Sequence, residues 1–493
     1  MSVDPATPVV VGAAQVVNRP GPSFSEKSAT ALMTEATRNA LSQTGAADPL
    51  GALIGEILVP HGTWPESDPA RAIARAVRAS ATRSVRAEVG VSQYALFLRA
   101  ARSLATGEVR AALVVGGENR WSEVEASRRG AASPEPPARS TETEPDEVLE
   151  AEALPLSQIE LDRGLASPAS QYAIIESAYR HHLRRSPADH LKDLGALWAR
   201  IGGVAATSDA AWNRGGMSAE EILDITPSNR LIADPYRKWM VSQWNVDQAA
   251  ALILTTVATA RELGIPEGLW VYPVAIATSD DVVPMTERQQ LHRWPAFSLA
   301  ARAALDAAEM DLARVSAFDL YSCFPVAVEV QAAELGIPLD RELTVTGGMT
   351  FAGGPFNNYS LQSAVAMVDT LRAAPARAIG MTTAVSGFLT KPGVALWGSA
   401  PSASGFVGID VSAAASAATG RLRVDADYVG AATVVGATVT DSAGGHEVLA
   451  VVETEGGVRG VAASNERVLV ERAVTEGLNE TVVEVDEPGR FTS

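Results

Sequence analysis

The chain of 493 residues contains a single cysteine, Cys323. One thiol cannot build a disulfide framework or a Cys-x-x-Cys zinc site, which suits a reducing cytoplasm. Histidine is also scarce. The six present show no metal-ligand spacing and no paired carboxylates stand out, so no metal or cofactor is expected. Basic charge is in deficit: the formal net charge of −18 argues against nucleic acid or an anionic membrane as the main partner. An anionic small ligand would need a local basic patch. There is no long uninterrupted apolar run, and the opening Met-Ser-Val-Asp-Pro has neither the basic nor the apolar region of a signal peptide. The expectation is a soluble, cytoplasmic protein with no membrane insertion.

What is present is a strand–helix rhythm over a length that suggests roughly three domains. The apolar run 9–12 predicts a buried strand, and Ala31, Leu32, Ala36 and Leu41 recur at helical spacing. A strand at 54–59, a helix opened by Asp68-Pro69, a strand at 85–89, a helix at 92–105 and a strand at 111–115 follow. Such alternation predicts a mostly parallel sheet covered by helices. The rhythm stops after Trp121. The segment 134–162, rich in Pro and Glu, reads as a flexible acidic loop, and helices at 169–183 and 188–201 read as an insertion.

A second series starts near 271, with helices at 294–310, 325–335 and 360–372 and strands at 317–320, 343–346, 376–382 and 394–397. Two such series suggest an internally duplicated α/β core. The small-residue stretch 413–419 reads as a flexible linker. Beyond it, β-branched runs at 431–440, 447–454, 458–462, 467–470 and 481–485, with turns at Gly444-Gly445 and Gly456-Gly457, predict a small antiparallel β-barrel of the oligonucleotide/oligosaccharide-binding (OB) type. The divisions expected are 1–120 with 250–270, 121–249, 271–412 and 413–493.

Four places could carry chemistry. Ser92, at a strand-to-helix turn, reads as a helix N-cap or as a nucleophile or anion site beside free N–H groups. In Gly347-Gly-Met-Thr-Phe-Ala-Gly-Gly-Pro-Phe-Asn-Asn-Tyr359, glycines let the backbone approach a ligand. There Gly353, Gly354, Asn357, Asn358 and Tyr359 are candidates to orient a carbonyl or water; the alternative is a loop that needs left-handed conformations. Tyr321, Ser322 and Cys323 follow a strand and open a helix. Cys323 is either a thiolate activated there or a small buried apolar residue. Arg184 and Arg185, in the basic cluster Arg180-His-His-Leu-Arg-Arg185, could receive phosphates or lie on a solvated helix face.

Several segments taken together resemble the thiolase superfamily, especially the sterol-carrier-protein type and its mycobacterial relatives. Val9-Val-Val-Gly-Ala-Ala-Gln15 resembles the opening strand. Ala100-Ala-Arg-Ser-Leu-Ala-Thr-Gly-Glu108 and Val114-Val-Gly-Gly-Glu-Asn119 resemble the helix and strand after the nucleophile. Val246-Asp-Gln-Ala-Ala-Ala-Leu252 resembles the segment that re-enters the core. The resemblance, over residues 8–400, implies a duplicated five-layered αβαβα fold with a helical loop domain, acetyl-CoA acyltransferase-type ancestry and coenzyme A thioester ligands.

It also implies that the catalytic side chains are gone. The family's nucleophilic cysteine falls on Gly90, its Gly-His-Pro histidine on Gly354, and its second cysteine on Ala384, two residues before Ser386. Its His-Asp-Cys-Phe motif becomes Tyr321-Ser-Cys-Phe324, which puts Cys323 at a position that does not accept the acyl group. Thiolysis needs a thiolate, a histidine to activate it and a second cysteine to move the α-proton. Glycine and alanine supply none of these.

Three functions follow: binding of CoA or acyl-CoA without classical thiolysis; retro-aldol cleavage of a β-hydroxyacyl-CoA with Tyr321 as the proton-transfer group; and a non-catalytic assembly subunit for a partner acyl-CoA enzyme. Because the C-terminal barrel could cover surface that thiolases bury by dimerising, a monomer or weak dimer is expected.

Overall fold

The computed structural model describes residues 3–79, 82–134, 144–442 and 445–493. Two sheets of the same topology form its centre. In the first, Pro8–Val17 pairs antiparallel with Asp247–Thr256, which pairs antiparallel with Ala111–Asn119. Ile54–Pro60, Arg83–Ala87 and Glu147–Leu149 continue the sheet in parallel. In the second, Tyr272–Thr278 pairs antiparallel with Lys391–Gly398, which pairs antiparallel with Ile379–Ser386, and Ala317–Asp319 is parallel to the last of these. Numbered within each half, with residues 343–346 keeping the third place although they form no strand, both sheets run 2-4-5-1 with the same directions, so the duplication is a property of the fold. The sheets are mixed rather than mostly parallel, because the fifth strand of each half returns antiparallel between two neighbours.

Between the sheets lie two helices, Gln93–Ala105 and Tyr359–Ala373, one from each half. Tyr94, Leu96, Phe97, Leu361, Val365 and Trp397 share a core with both sheets. Ala29–Ser42 and Pro69–Ala76 cover the outer face of the first sheet, and Ala296–Ala307 and Pro325–Leu335 the outer face of the second. The result is the five-layered αβαβα arrangement. The inserted helices Pro168–His182 and Pro187–Thr207 pack on the second outer layer through Tyr172, Ile175, Trp198 and Ile201.

Two expected strands are absent. Residues 343–346 form no strand; the Thr344 and Thr346 hydroxyls and the Val345 and Thr346 N–H groups turn onto the Asp319 carboxylate instead. Residues 467–470 lie in the helix Arg467–Thr475. The β-branched Val468 suggested a strand, but Leu469, Val470 and Ala473 pack against the barrel at helical spacing and leave Val468 in solvent. The stretch 413–419 is mostly helix (Ser412–Ala418) and seats a fully buried Ala415 against the outer layer. Within the acidic segment 134–162, residues 135–143 lie outside the described residues. The remainder holds the strand Glu147–Leu149 and the helix Gln158–Asp162.

The C-terminal strands Gly430–Ser442, Gly445–Glu453, Val458–Ser464, Val482–Glu487 and Arg490–Thr492 close into a five-stranded barrel, because the last pairs with both the third and the fourth. Val434, Val448, Val452, Val483, Val485 and Phe491 fill its interior. Its outer face sits on the inserted helices: Ala437 N–H donates to Ser177 Oγ at 2.9 Å, and Asp234 N–H to the Val439 carbonyl at 2.9 Å. Any β-carbon at Gly436 would meet the Ile174 carbonyl at 3.0 Å, so this glycine sets how closely the barrel approaches. No helix among the described residues is long and apolar enough to cross a membrane.

Candidate functional site

The N-termini of the two middle helices meet, and polar groups from both halves converge there. Ser92 caps the first helix, its Oγ accepting the Tyr94 N–H at 3.3 Å. Gln93 on that helix donates to Asn357 Oδ1 at 2.5 Å and accepts from Ser360 Oγ at 2.8 Å. Asn357 in turn donates to the His61 carbonyl at 3.1 Å. Asn358, next in line, is buried with neither side-chain polar atom hydrogen-bonded, and it lies against Gly116, where any β-carbon would come within 2.2 Å of its Oδ1. Gln248 Oε1 and both amide atoms of Gln362 are likewise buried without partners, beside a small enclosed cavity that Tyr359 and Gly353 also line. Buried polar atoms left without partners call for a water or a ligand group.

Of the three positions that the sequence resemblance matches to thiolase catalytic residues, Gly354 and Ala384 are closed and Gly90 is constrained by its backbone. Gly90 holds a left-handed φ of 101°, and a β-carbon there would lie 3.0 Å from the Ala151 methyl. Its carbonyl accepts from Lys391 Nζ at 3.0 Å, and Lys391 is buried. At Gly354 a β-carbon would come within 2.0 Å of Ser242 Oγ, and at Gly353 within 2.1 Å of Gln248 Oε1. Ala384 is fully buried in the core between the sheets. Ser386 pairs with Lys391 at the end of the same strand. Lys391 gave no signal in the sequence, since a lone lysine in Thr-Lys-Pro-Gly matches no motif.

Tyr321 and Cys323 lie close together but rest on different neighbours. The Tyr321 ring meets the Tyr359 ring edge-on at 5.6 Å, inside the site. Burial raises the Tyr321 hydroxyl well above the usual phenol range, so it is a proton donor rather than a base. Cys323 faces the inserted helix instead, where its thiol meets Tyr172 and the Phe324 ring stacks on Tyr172 at 4.5 Å. Burial pushes the thiol up to about 12, which leaves no thiolate near neutral pH. Of the two sequence readings, the buried apolar residue fits. Tyr359 is tied down by Thr346 Oγ1 at 2.6 Å and donates to Asp319 Oδ2 at 3.1 Å.

Arg184 and Arg185 lie elsewhere, at the end of the inserted helix Pro168–His182. They line a groove of about 780 Å³ against the barrel with His181, His182, His292 and Arg459. Arg185 is ion-paired to Asp193, and Arg459 keeps one buried guanidinium nitrogen without a partner. Glu453, Glu476 and Glu480 also line the groove, Glu453 paired to Arg459, so acidic side chains offset much of its basic charge. From Tyr172, beside Cys323, to His182 this helix runs about 15 Å.

Sequence reasoning also passed over Glu118, in the Gly-Gly-Glu-Asn segment. It is buried beside Trp64 and accepts from Thr63 Oγ1 at 2.6 Å and Thr63 N–H at 3.0 Å. Burial pushes its carboxyl up to about 7, against 4.5 ordinarily. The stability gained by keeping it neutral is complete below the unfolded value and is lost as pH rises through about 7. Glu118→Gln, which cannot ionise, is therefore expected to gain about 2–3 kcal/mol relative to wild type between pH 4.5 and pH 8. Urea denaturation at the two pH values checks this; parallel behaviour of the two proteins would refute it.

No family model matches the chain, and no curated protein matches it. Solved structures do. A monomeric SCP2-thiolase-like protein type 1 from Mycobacterium smegmatis is 28% identical with a TM-score of 0.84, over 100% of both chains. An Ltp2–ChsH2(DUF35) aldolase is 18% identical with a TM-score of 0.59, over 81% of this chain and 99% of that one. An Acat5 thiolase from Ascaris suum, in complex with coenzyme A, is 16% identical with a TM-score of 0.54, over 80% and 99%. The chain thus has the thiolase fold with a C-terminal β-barrel; the thiolase match covers 80% of it, and the Mycobacterium smegmatis structure matches it over its whole length.

Proposed function

We propose that this thiolase-like protein binds coenzyme A or an acyl-CoA thioester and does not carry out thiolysis. One observation carries the reading. The meeting point of the two middle helices keeps buried amide atoms without partners at Asn358 and Gln362 and at Gln248 Oε1, while Gly90, Gly354 and Ala384 offer no nucleophile, base or proton carrier. Amides can orient a thioester carbonyl but cannot attack it. The coenzyme A complex formed by the Ascaris suum thiolase, which shares the fold, supports the ligand class. The groove at Arg184 and Arg185 is where phosphates would rest, reached along the inserted helix.

Calorimetric titration with CoA and with acetoacetyl-CoA tests the reading. Binding of either is expected; absence of both would sink it. The double variant Arg184→Ala/Arg185→Ala is expected to weaken CoA binding at least about tenfold, since charge-assisted contacts to phosphate are each worth about 1.5–3 kcal/mol. Unchanged affinity would move the phosphates away from this groove.

A second reading rests on Tyr321, which stands at the site as a proton-donating phenol against Tyr359. The aldolase of like fold makes carbon–carbon cleavage of a β-hydroxyacyl-CoA the reaction to try. Tyr321→Phe cleaving such thioesters as well as wild type would end it. Either way, we infer a monomer. Glu147–Leu149 covers the edge strand Arg83–Ala87 of the first sheet, which leaves that strand no free edge for a second copy. The Mycobacterium smegmatis relative is described as monomeric.

A further inference from the structure

Away from the helix junction, three helices bring together Glu176, His190 and Glu329. Glu176 lies on Pro168–His182, His190 on Pro187–Thr207 and Glu329 on Pro325–Leu335. The three residues are at most 3% exposed, and one ligand atom from each lies within 4.8 Å of the other two. His190 Nε2 is 2.6 Å from Glu176 Oε1, and the Tyr236 hydroxyl donates to Glu176 Oε2 at 2.9 Å. Glu329 Oε2 is buried without a hydrogen-bond partner. Among the described residues, neither glutamate forms an ion pair with arginine or lysine. Arg185, the nearest candidate by charge, is paired to Asp193, and Arg180 is held by the Arg185 carbonyl and Asn479. Glu176 and His190 also line a cavity of about 30 Å³ beside the barrel, room for one water, with Arg180 and Asp234 in its wall and Glu329 behind the other two.

We propose that Glu176, His190 and Glu329 form a binding site for one divalent first-row transition ion, Zn²⁺ or Mn²⁺. Two carboxylate oxygens and one imidazole nitrogen are the donors such ions take, and without a thiolate the set does not favour a soft ion such as Cu(I). Two carboxylates balance the two charges of the ion, so the occupied site is neutral in a buried place where an unbalanced charge is costly. Tyr236 fixes the orientation of Glu176 from outside the donor set, as outer partners of metal ligands do. The ion would pin the two inserted helices to the helix that follows Tyr321-Ser-Cys-Phe324. Because each donor comes from a different helix, no local spacing in the sequence announces the site.

The test uses the full chain stripped with EDTA and titrated with ZnCl₂, MnCl₂ or MgCl₂ alone, with bound metal counted by elemental analysis and Tm followed in parallel. The expected result is one equivalent of Zn²⁺ or Mn²⁺ and a higher Tm. Glu329→Gln keeps the shape of the side chain and removes its charge. It is expected to fold as wild type by circular dichroism and to lose at least about 100-fold in affinity together with the metal-dependent rise in Tm. His190→Gln serves as the second variant, with the same expected loss. No stoichiometric uptake by wild type would overturn the proposal. So would uptake that falls less than tenfold in both variants, since the ion would then sit on surface histidines such as His181 or His446.

Discussion

Asp319→Ala is expected to destabilise the protein by about 3–5 kcal/mol, with a matching drop in the urea midpoint followed by tryptophan fluorescence. Asp319 is fully buried at the end of the strand Ala317–Asp319. Its Oδ1 accepts from Thr344 Oγ1 at 2.7 Å, Val345 N–H at 2.9 Å, Thr346 Oγ1 at 3.0 Å and Thr346 N–H at 3.2 Å. Its Oδ2 accepts from the Tyr359 hydroxyl at 3.1 Å. Alanine would leave these donors buried with no acceptor, each costing about 1–3 kcal/mol less whatever relaxation recovers. Asp319→Asn keeps an oxygen for the threonine cluster and gives up the one facing Tyr359, so a smaller loss is expected. Equal effects of the two variants would mean that the cluster does not depend on the carboxylate. The same residue holds Tyr359, and through it Tyr321, so any activity resting on Tyr321 should fall in Asp319→Asn before stability does.

The second large effect concerns Gly354. Rebuilding the thiolase set as Gly90→Cys/Gly354→His/Ala384→Cys is expected to give no thiolysis of acetoacetyl-CoA, monitored by loss of the substrate's absorbance. Gly354→His alone is expected to cost about 3 kcal/mol or more. A β-carbon at 354 would overlap Ser242 Oγ, so that hydroxyl has to leave its rotamer while the Ser242 backbone stays held by the N–H it donates to the Cys323 carbonyl at 3.0 Å. Met349 closes the other side at 3.3 Å. Gly90 has more room but holds a left-handed φ that cysteine adopts at a cost, with the Ala151 methyl 3.0 Å from where its β-carbon would stand. Measurable thiolysis by the triple variant would show that the space reopens, and the reading of a closed site would have to be given up.

Much of the architecture was legible in the chain. Buried strands and amphipathic helices announce themselves by local period, and so the duplicated α/β core, the inserted helices and the barrel could be expected, while the five layers were implied by the resemblance. The strands that failed did so for non-local reasons. Residues 343–346 have strand composition, but a carboxylate 24 residues earlier draws their N–H and hydroxyl groups away from any ladder. Residues 467–470 have strand composition too, yet the barrel offers them an end to cap rather than an edge to join. At the site, Ser92 and Tyr321 were legible as residues at element junctions, whereas Lys391 and Glu118 belong to no pattern along the chain.

The lone cysteine draws the same line. Sequence alone determined what the chain lacks: it has no second thiol, and glycine and alanine stand where the resemblance puts a histidine and a cysteine, which is why binding without thiolysis is the function proposed. Only the tertiary structure decided where Cys323 points. Its burial against Tyr172 raises its thiol to about 12, and that burial comes from an inserted helix more than a hundred residues away. Composition fixes which reactions are available. Packing of segments remote in sequence fixes the dielectric, the room and the partners, and with them which available groups can act.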